Sequence, residues 1–150
     1  MARGERLWRD GVATGAHVSG WDSVRHPVAM VAGMVTLTLL QKQGLYKELE
    51  RKADRLQQEF QRIFAAAEVP LHVNRVGSMM TLFFNSDDVN DWQSVYRSDK
   101  EVFAGLFHRM LDEGVSLPPA PFEAMFVSAV HNDADISAAI EAAEHALSQR

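Results

Sequence analysis

The sequence predicts an α+β fold, a small and largely antiparallel sheet with helices packed on one side. Three observations lead there. A long segment after Gly44 repeats its apolar residues at three and four, the spacing of a helix with one buried face. Short apolar runs bounded by glycine and proline read as strands. The elements also fall in the order helix, helix, strand, strand, helix, strand, strand, helix, which suits strands grouped against one helical layer better than alternating β and α units. At 150 residues the chain fits one domain with an appended arm, and a domain of that size buries roughly 68–70% of the surface its unfolded chain exposes.

Residues 1–26, "MARGERLWRDGVATGAHVSGWDSVRH", have neither helical nor strand periodicity and are expected to form an irregular arm. Pro27 suits a first helical position, where its missing amide proton is an orphan in any case, and "VAMVAGMVTLTLLQ" continues as a helix to about Gln41. That helix is apolar on almost every face. It is either a central core helix or a contact with a second chain or another domain. After Gly44, Leu45, Leu49, Ala53, Leu56, Phe60 and Phe64 form the stripe of an amphipathic helix that Pro70 stops. "LHVNRVGSMMTLFF", residues 71–84, then gives two strands around a tight turn at Gly77 and Ser78, the second with apolar residues on both faces, so that both look covered.

Residues 85–97 read as a polar loop. Ser98 and Glu101 have capping-box spacing ahead of a helix that presents Val102, Phe103, Leu106, Phe107, Met110 and Leu111 and ends at Gly114. "VSL" at 115–117 and "AMFVSAV" at 124–130 read as strands flanking a loop with Pro118, Pro119 and Pro121. Asn132 caps a last helix, with Asp135 in its first turn and Ile136, Ile140, Ala143 and Leu147 inward.

Several chemistries are excluded early. A net charge of −5 and no basic stripe interleaved with aromatics argue against a nucleic-acid partner. Without cysteine there is neither a disulfide framework nor thiolate chemistry, and the longest apolar run, 28–40, is too short to span a bilayer. A cytoplasmic protein with no membrane partner is the expectation. The six histidines have no metal-binding spacing, so no metal site is expected. Lys42, Lys47, Lys52 and Lys100 read as ordinary solvated ammoniums on amphipathic helices, and a Schiff-base lysine needs a partly desolvated pocket. No residue is therefore assigned as catalytic. Glu123, between the prolines and an apolar strand, is the candidate site residue. An ionised carboxylate there is exposed, paired, or aimed at something polar in a cleft.

"HPVAMVAGMVTLTLL" (26–40), "NRVGSMMTLFFN" (74–85) and "FAGLFHRMLDEGVSLPPAPFEAMFVSAVHNDADISAAIEAAEHAL" (103–147) closely resemble the carboxy-terminal part of glutamate-1-semialdehyde 2,1-aminomutases. These are class III aminotransferase-like members of the fold type I pyridoxal phosphate group. The resemblance implies the small domain of that fold over 27–150, with 1–26 a divergent arm. It also implies a dimeric family that isomerises glutamate 1-semialdehyde to 5-aminolevulinate for tetrapyrrole synthesis with pyridoxal or pyridoxamine phosphate. The family's cofactor-linked lysine and ring-clamping residues lie in the part of its sequence that precedes the matched segment. Where the family has a phosphate-binding glycine and threonine, Trp21 and Asp22 stand here, and an aspartate repels a phosphate dianion. The chain is therefore expected to bind no cofactor alone. Glu123 matches the family's FEA glutamate, which reaches the region of the substrate's amino group, and Ser78 in the GSM turn is a weaker substrate-binding candidate. Two roles follow as expectations: an aminomutase-like domain that needs a large-domain partner chain, or a stand-alone module, oligomerising with itself or binding a small amino or keto acid.

Overall fold

The computed structural model describes residues 26–148. The expected 1–26 arm, with Trp21 and Asp22, therefore lies outside the described residues apart from His26. The chain divides after Gln43 into two compact units.

The described part of the first unit is one helix, α1 (Pro27–Leu40), with Pro27 in its first turn as the sequence requires. None of its residues is buried. Val28, Met34 and Leu37 are each more than 60% exposed.

The second unit, Gly44–Arg150, begins with α2 (Leu45–Ala66), whose inward face carries Ala53, Leu56, Phe60, Ile63 and Phe64. Its end comes before Pro70. The amides of Glu68 and Val69 bond back to the carbonyls of Ala65 and Phe64, and Glu68 takes a left-handed φ of 55°. This closing turn brings buried Val69 against the end of the helix, a contact that offsets the cost of placing a non-glycine residue there.

Strands β1 (His72–Val76) and β2 (Met79–Phe83) form the predicted hairpin, with Gly77 at φ 59° in its turn. A third strand, β3 (Met125–Phe126), completes an antiparallel sheet in the order β1-β2-β3. Val73 faces Leu82 across the ladder, and Met80 lies opposite both Arg75 and Met125. That row of Val73, Met80 and Leu82 is buried with the helices. On the other face, Asn74 Nδ2 donates to the Val89 carbonyl at 2.9 Å, tying residues 85–97 over one end. The remaining end, Val76, Met79 and Phe126, stays open, so the expectation that both faces are covered fails there. A strand of two residues reaches too little of the ladder to carry a covering segment further.

Two more sequence expectations are corrected between β2 and the next long helix. Residues 85–97 contain a short helix, α3 (Trp92–Tyr96), started by a reciprocal Asp91–Ser94 capping box. The next helix, α4 (Lys100–Asp112), is capped by Asp99, whose Oδ1 accepts from the amides of Glu101 and Val102 at 2.9 and 3.0 Å. Ser98 makes no cap bond; it is buried and its hydroxyl has no partner among the described residues.

Gly114, at φ 81°, closes α4 as expected, with the Val115 amide bonding back to Met110 at 2.8 Å. That bond uses the donor a strand at 115–117 would need, and Pro118 has none to offer, so the predicted strand is an irregular segment anchored by buried Leu117. The strand expected over 124–130 shrinks to β3.

The final helix, α5 (Asp133–Ser148), is capped by Asn132, whose Oδ1 accepts from Ala134 and Asp135. Ile136, Ile140, Ala143 and Leu147 are buried as the sequence indicates. Arg51 bonds Asp133, Arg55 bonds Ser137 and Arg62 bonds Glu144, every pair 82 residues apart, so α2 and α5 run parallel in fixed register. The pairs sit at the surface and align more than they stabilise. Stability comes from the core between these helices, α4 and the sheet, through which the rings of Phe60, Phe64, Phe84 and Phe103 follow one another at 5.6–6.4 Å.

Candidate functional site

Glu123 lies in the loop between α4 and β3, where its amide bonds the Ala120 carbonyl at 3.2 Å in a turn. Pro118, Pro119 and Pro121 fix three φ angles of this loop and remove three donors from it. The Glu123 side chain is exposed, and its carboxylate makes no hydrogen bond or ion pair among the described residues. Of the three states open to it, exposed, paired or cleft-directed, this chain shows the exposed one. A carboxylate so held needs no desolvation to meet an ammonium or amide brought to it.

Ser78 is half-buried in the hairpin turn. Its backbone carbonyl accepts from the Val127 amide at 2.9 Å, which joins the turn to the chain four residues beyond Glu123. The two candidates are thus linked through β3. Arg75 steadies the same turn from the helical side: its guanidinium donates to the Gly77 carbonyl at 2.8 Å, to Gln57 at 2.6 Å and to Asp54 at 3.1 Å.

Beside Glu123 is an aromatic cluster that the sequence reading missed. The Phe122 ring meets Trp92 edge-on with centroids 5.7 Å apart, and Trp92 lies 6.2 Å from Tyr96. The Lys100 ammonium stands 3.9 Å from the Tyr96 centroid and 5.4 Å from that of Phe122. Trp92, Tyr96 and Lys100 recur every four residues, a spacing that would have signalled a shared face had 92–96 been read as helical.

A separate cleft of about 370 Å³ is lined by Phe60, Met110, Leu117, Met125 and Ile136, with His131 and Asp135 among its polar members. Neither Glu123 nor Ser78 lines it. Both polar groups already serve the backbone: the Ser128 amide donates to His131 Nδ1 at 3.1 Å, and Asp135 Oδ2 accepts from the Asn132 amide at 2.7 Å.

The lysines decide whether a pyridoxal cofactor fits here. Lys42 and Lys47 are exposed. Lys52 corrects the expectation of an exposed ammonium: at three residues after Leu49 and four before Leu56 it shares their inward stripe, is buried, and holds its Nζ 3.6 Å from Glu48. Lys100 is engaged by aromatic rings. No lysine among the described residues stands free in a desolvated cleft with donors for a phosphate, so the residues present do not fit the cofactor. No group of acidic or histidine side chains that could hold a metal ion occurs among them either.

No family profile matches the chain. Curated relatives do. The chain is 43% identical over 122 residues to a glutamate-1-semialdehyde 2,1-aminomutase of Desulfitobacterium hafniense and 44% identical over 124 residues to one of Thermomicrobium roseum. These matches cover 81% and 83% of this chain, but only 28% and 29% of the relatives, in their carboxy-terminal part. Over the residues it matches, the chain is similar to the carboxy-terminal part of the aminomutases. It spans under a third of the length of those relatives.

Solved structures agree on the fold. An omega-transaminase from Sphaerobacter thermophilus superposes with a TM-score of 0.67 at 20% identity, over 83% of this chain and 28% of that one. A glutamate-1-semialdehyde-aminomutase from Pseudomonas aeruginosa PAO1 gives 0.64 at 16% identity, over 72% and 24%. The α+β arrangement is that of the class III transaminases.

Proposed function

We propose that this chain supplies the carboxy-terminal lobe of a pyridoxal-phosphate-dependent aminomutase, and that the amine nucleophile and cofactor cradle come from sequence beyond these 150 residues, on a partner chain or in a longer protein. The observation that carries this reading is the 43% identity confined to 28% of the relative's length. The cofactor, when bound by such an assembly, supplies the electron sink for moving an amino group. What this chain adds is a carboxylate, Glu123, on a proline-stiffened loop, positioned to accept hydrogen bonds from the amino end of a small substrate, with Ser78 behind it. Glutamate 1-semialdehyde, tetrapyrrole synthesis, a dimeric assembly and a cytoplasmic setting belong to the same proposal. The acidic composition and the lack, among the described residues, of any single helix long and apolar enough to cross a membrane are compatible with that setting.

The test is complementation. The chain is co-expressed with the amino-terminal remainder of the Desulfitobacterium relative, and semialdehyde isomerisation is assayed. Turnover is expected in the mixture and not with the chain alone. Glu123→Ala should lower turnover about 10- to 100-fold, the worth of a hydrogen bond to a charged group. Turnover by the isolated chain, or a lysine-linked absorbance on adding pyridoxal phosphate to it, would refute the proposal.

A second reading rests on α1 alone. A helix apolar on every face with none of its residues buried favours association with a second copy of this chain. Under this reading, the chain is an oligomerising module that retains the fold without the reaction.

A further inference from the structure

The loop that presents Glu123 has a weakness that its prolines do not repair. Proline fixes φ but has no amide to donate, and three of the four residues from Pro118 to Pro121 are prolines. The amide of Glu123 bonds within the loop itself, to Ala120, and tertiary backbone pairing resumes only at β3, where Met125 pairs with Met80 and the Val127 amide then bonds the Ser78 carbonyl. The loop is locally stiff but weakly tethered by its backbone. What ties it to the rest of the unit at Glu123's own position is the neighbouring side chain, Phe122.

Phe122 is held from two sides. Trp92, from α3, presses its edge at a centroid distance of 5.7 Å and an interplanar angle of 65°. Lys100, at the first turn of α4, places its ammonium 5.4 Å from the Phe122 ring centre and 3.9 Å from that of Tyr96. Both distances are within the range at which a cation is drawn to an aromatic face. Trp92 and Tyr96 are 66% and 61% exposed, so burial alone does not explain why these rings gather. A cation shared between two rings does.

We infer that Lys100 is a positioning residue: by bridging Tyr96 and Phe122 through its charge, it clamps the proline loop to the α3–α4 corner and sets the direction of Glu123. The inference rests on the reading of Glu123 as a substrate-binding residue only for its functional consequence; the clamp itself rests on the contacts. It also accounts for Lys100 differently from a solvated or nucleophilic amine, since its ammonium is placed on two rings.

The experiment uses the full chain, isotope-labelled, and follows individual amides and side-chain protons by NMR. In the native protein the ε-methylene protons of Lys100 are expected upfield, shifted by the rings beneath them. In Lys100→Gln, which keeps a polar side chain and removes the charge, exchange at the Glu123 amide, which bonds the Ala120 carbonyl, should quicken roughly two- to five-fold, the factor that an exposed cation–aromatic contact corresponds to. Amides in the middle of α2 should not change. Lys100→Arg retains a cation and should restore the native rates. Phe122→Leu keeps an apolar anchor without a ring and should behave like Lys100→Gln. Unchanged exchange in Lys100→Gln overturns the clamp, and so does an arginine variant as fast as the glutamine one. In the complementation assay, Glu123→Gln probes the site separately. Native turnover in that variant would remove the substrate-binding role of Glu123 and leave the exchange result standing.

Discussion

Helices α1 and α2 stand close in sequence and differ in almost every physical respect. α2 has 22 residues with a charged face and six buried positions; α1 has 14 residues, almost no polar face and no buried position. α2 carries Glu48 in its first turn, linked to Arg51 by bonds of 2.6 and 3.0 Å, whereas α1 has no acidic residue in its first turn; neither helix has a basic residue in its last turn or a side-chain cap. Isolated helices shorter than about 12–15 residues are marginal in water, and most helical stability in proteins comes from packing one face. α2 finds that packing inside its own unit. α1 exposes its apolar residues, Val28, Met34 and Leu37 among them. In relatives nearly three times as long as this chain, there is ample further sequence to cover such a helix.

The comparison is tested most severely at one residue of each helix. Phe64 is fully buried and meets the Phe84 ring at 5.6 Å in a tilted contact, so Phe64→Ala should cost about 3–5 kcal/mol in urea unfolding. Met34, 66% exposed, should change by less than about 0.5 kcal/mol when replaced by alanine. A Met34→Ala loss near that of Phe64→Ala would mean that α1 is packed and would erase the contrast.

A smaller effect on folding, with a clear effect on assembly, is expected from the pair Val31→Glu and Val35→Lys. These positions lie one turn apart on α1 and are 59% and 52% exposed, so the new charges attract each other along the helix and stay solvated. The unfolding midpoint of the second unit should hold, while any concentration-dependent association measured by sedimentation disappears. A native chain that remains a monomer at high concentration would remove self-association as the reason for the apolar surface.

The same contrast explains what could be read from sequence. Burial in α2 and α5 was legible because their partners are inside the chain, and a stripe at three and four can mean only one inward face. Lys52 escaped because charge was weighed above position: it occupies the stripe, and a long stem lets its ammonium reach Glu48. α3 escaped because its box begins with aspartate and closes with serine, Asp91 and Ser94, rather than with the hydroxyl-to-glutamate spacing that pointed wrongly at Ser98. The segment 115–117 looked like a strand because its residues are apolar, but a helix-closing bond at Val115 takes the donor a ladder would need. As for the site, Glu123 is singled out in the sequence by its place between the prolines and an apolar run and by its FEA match, while the Lys100 clamp joins residues 22 positions apart and has no local signature.

The smallest expected effect concerns the start of a helix, where α3 has what α1 lacks. The Asp91 carboxylate accepts from the Ser94 amide at 2.7 Å and from the Ser94 hydroxyl at 2.8 Å, while Ser94 Oγ accepts from the Asp91 amide at 3.1 Å. These bonds, the amide of Ser94 foremost, hold the Asp91 carboxyl below its ordinary value in the folded chain. A carboxyl whose folded value is depressed contributes stability that is fully present above the unfolded value and is lost as pH falls through the folded one. The α3 cap should therefore be constant from neutral pH down to the ordinary carboxylate range and weaken only below it, seen as a late acid shift of the Ser94 amide resonance. In Asp91→Asn, which can still accept from that amide but carries no charge, the late shift should vanish. The first-turn amides of α1, with neither an acidic residue nor a side-chain cap beside them, should stay flat through the same range. A Ser94 resonance that moves at the ordinary carboxylate value, or an equal movement in α1, would show that the box does not stabilise the charged form of Asp91.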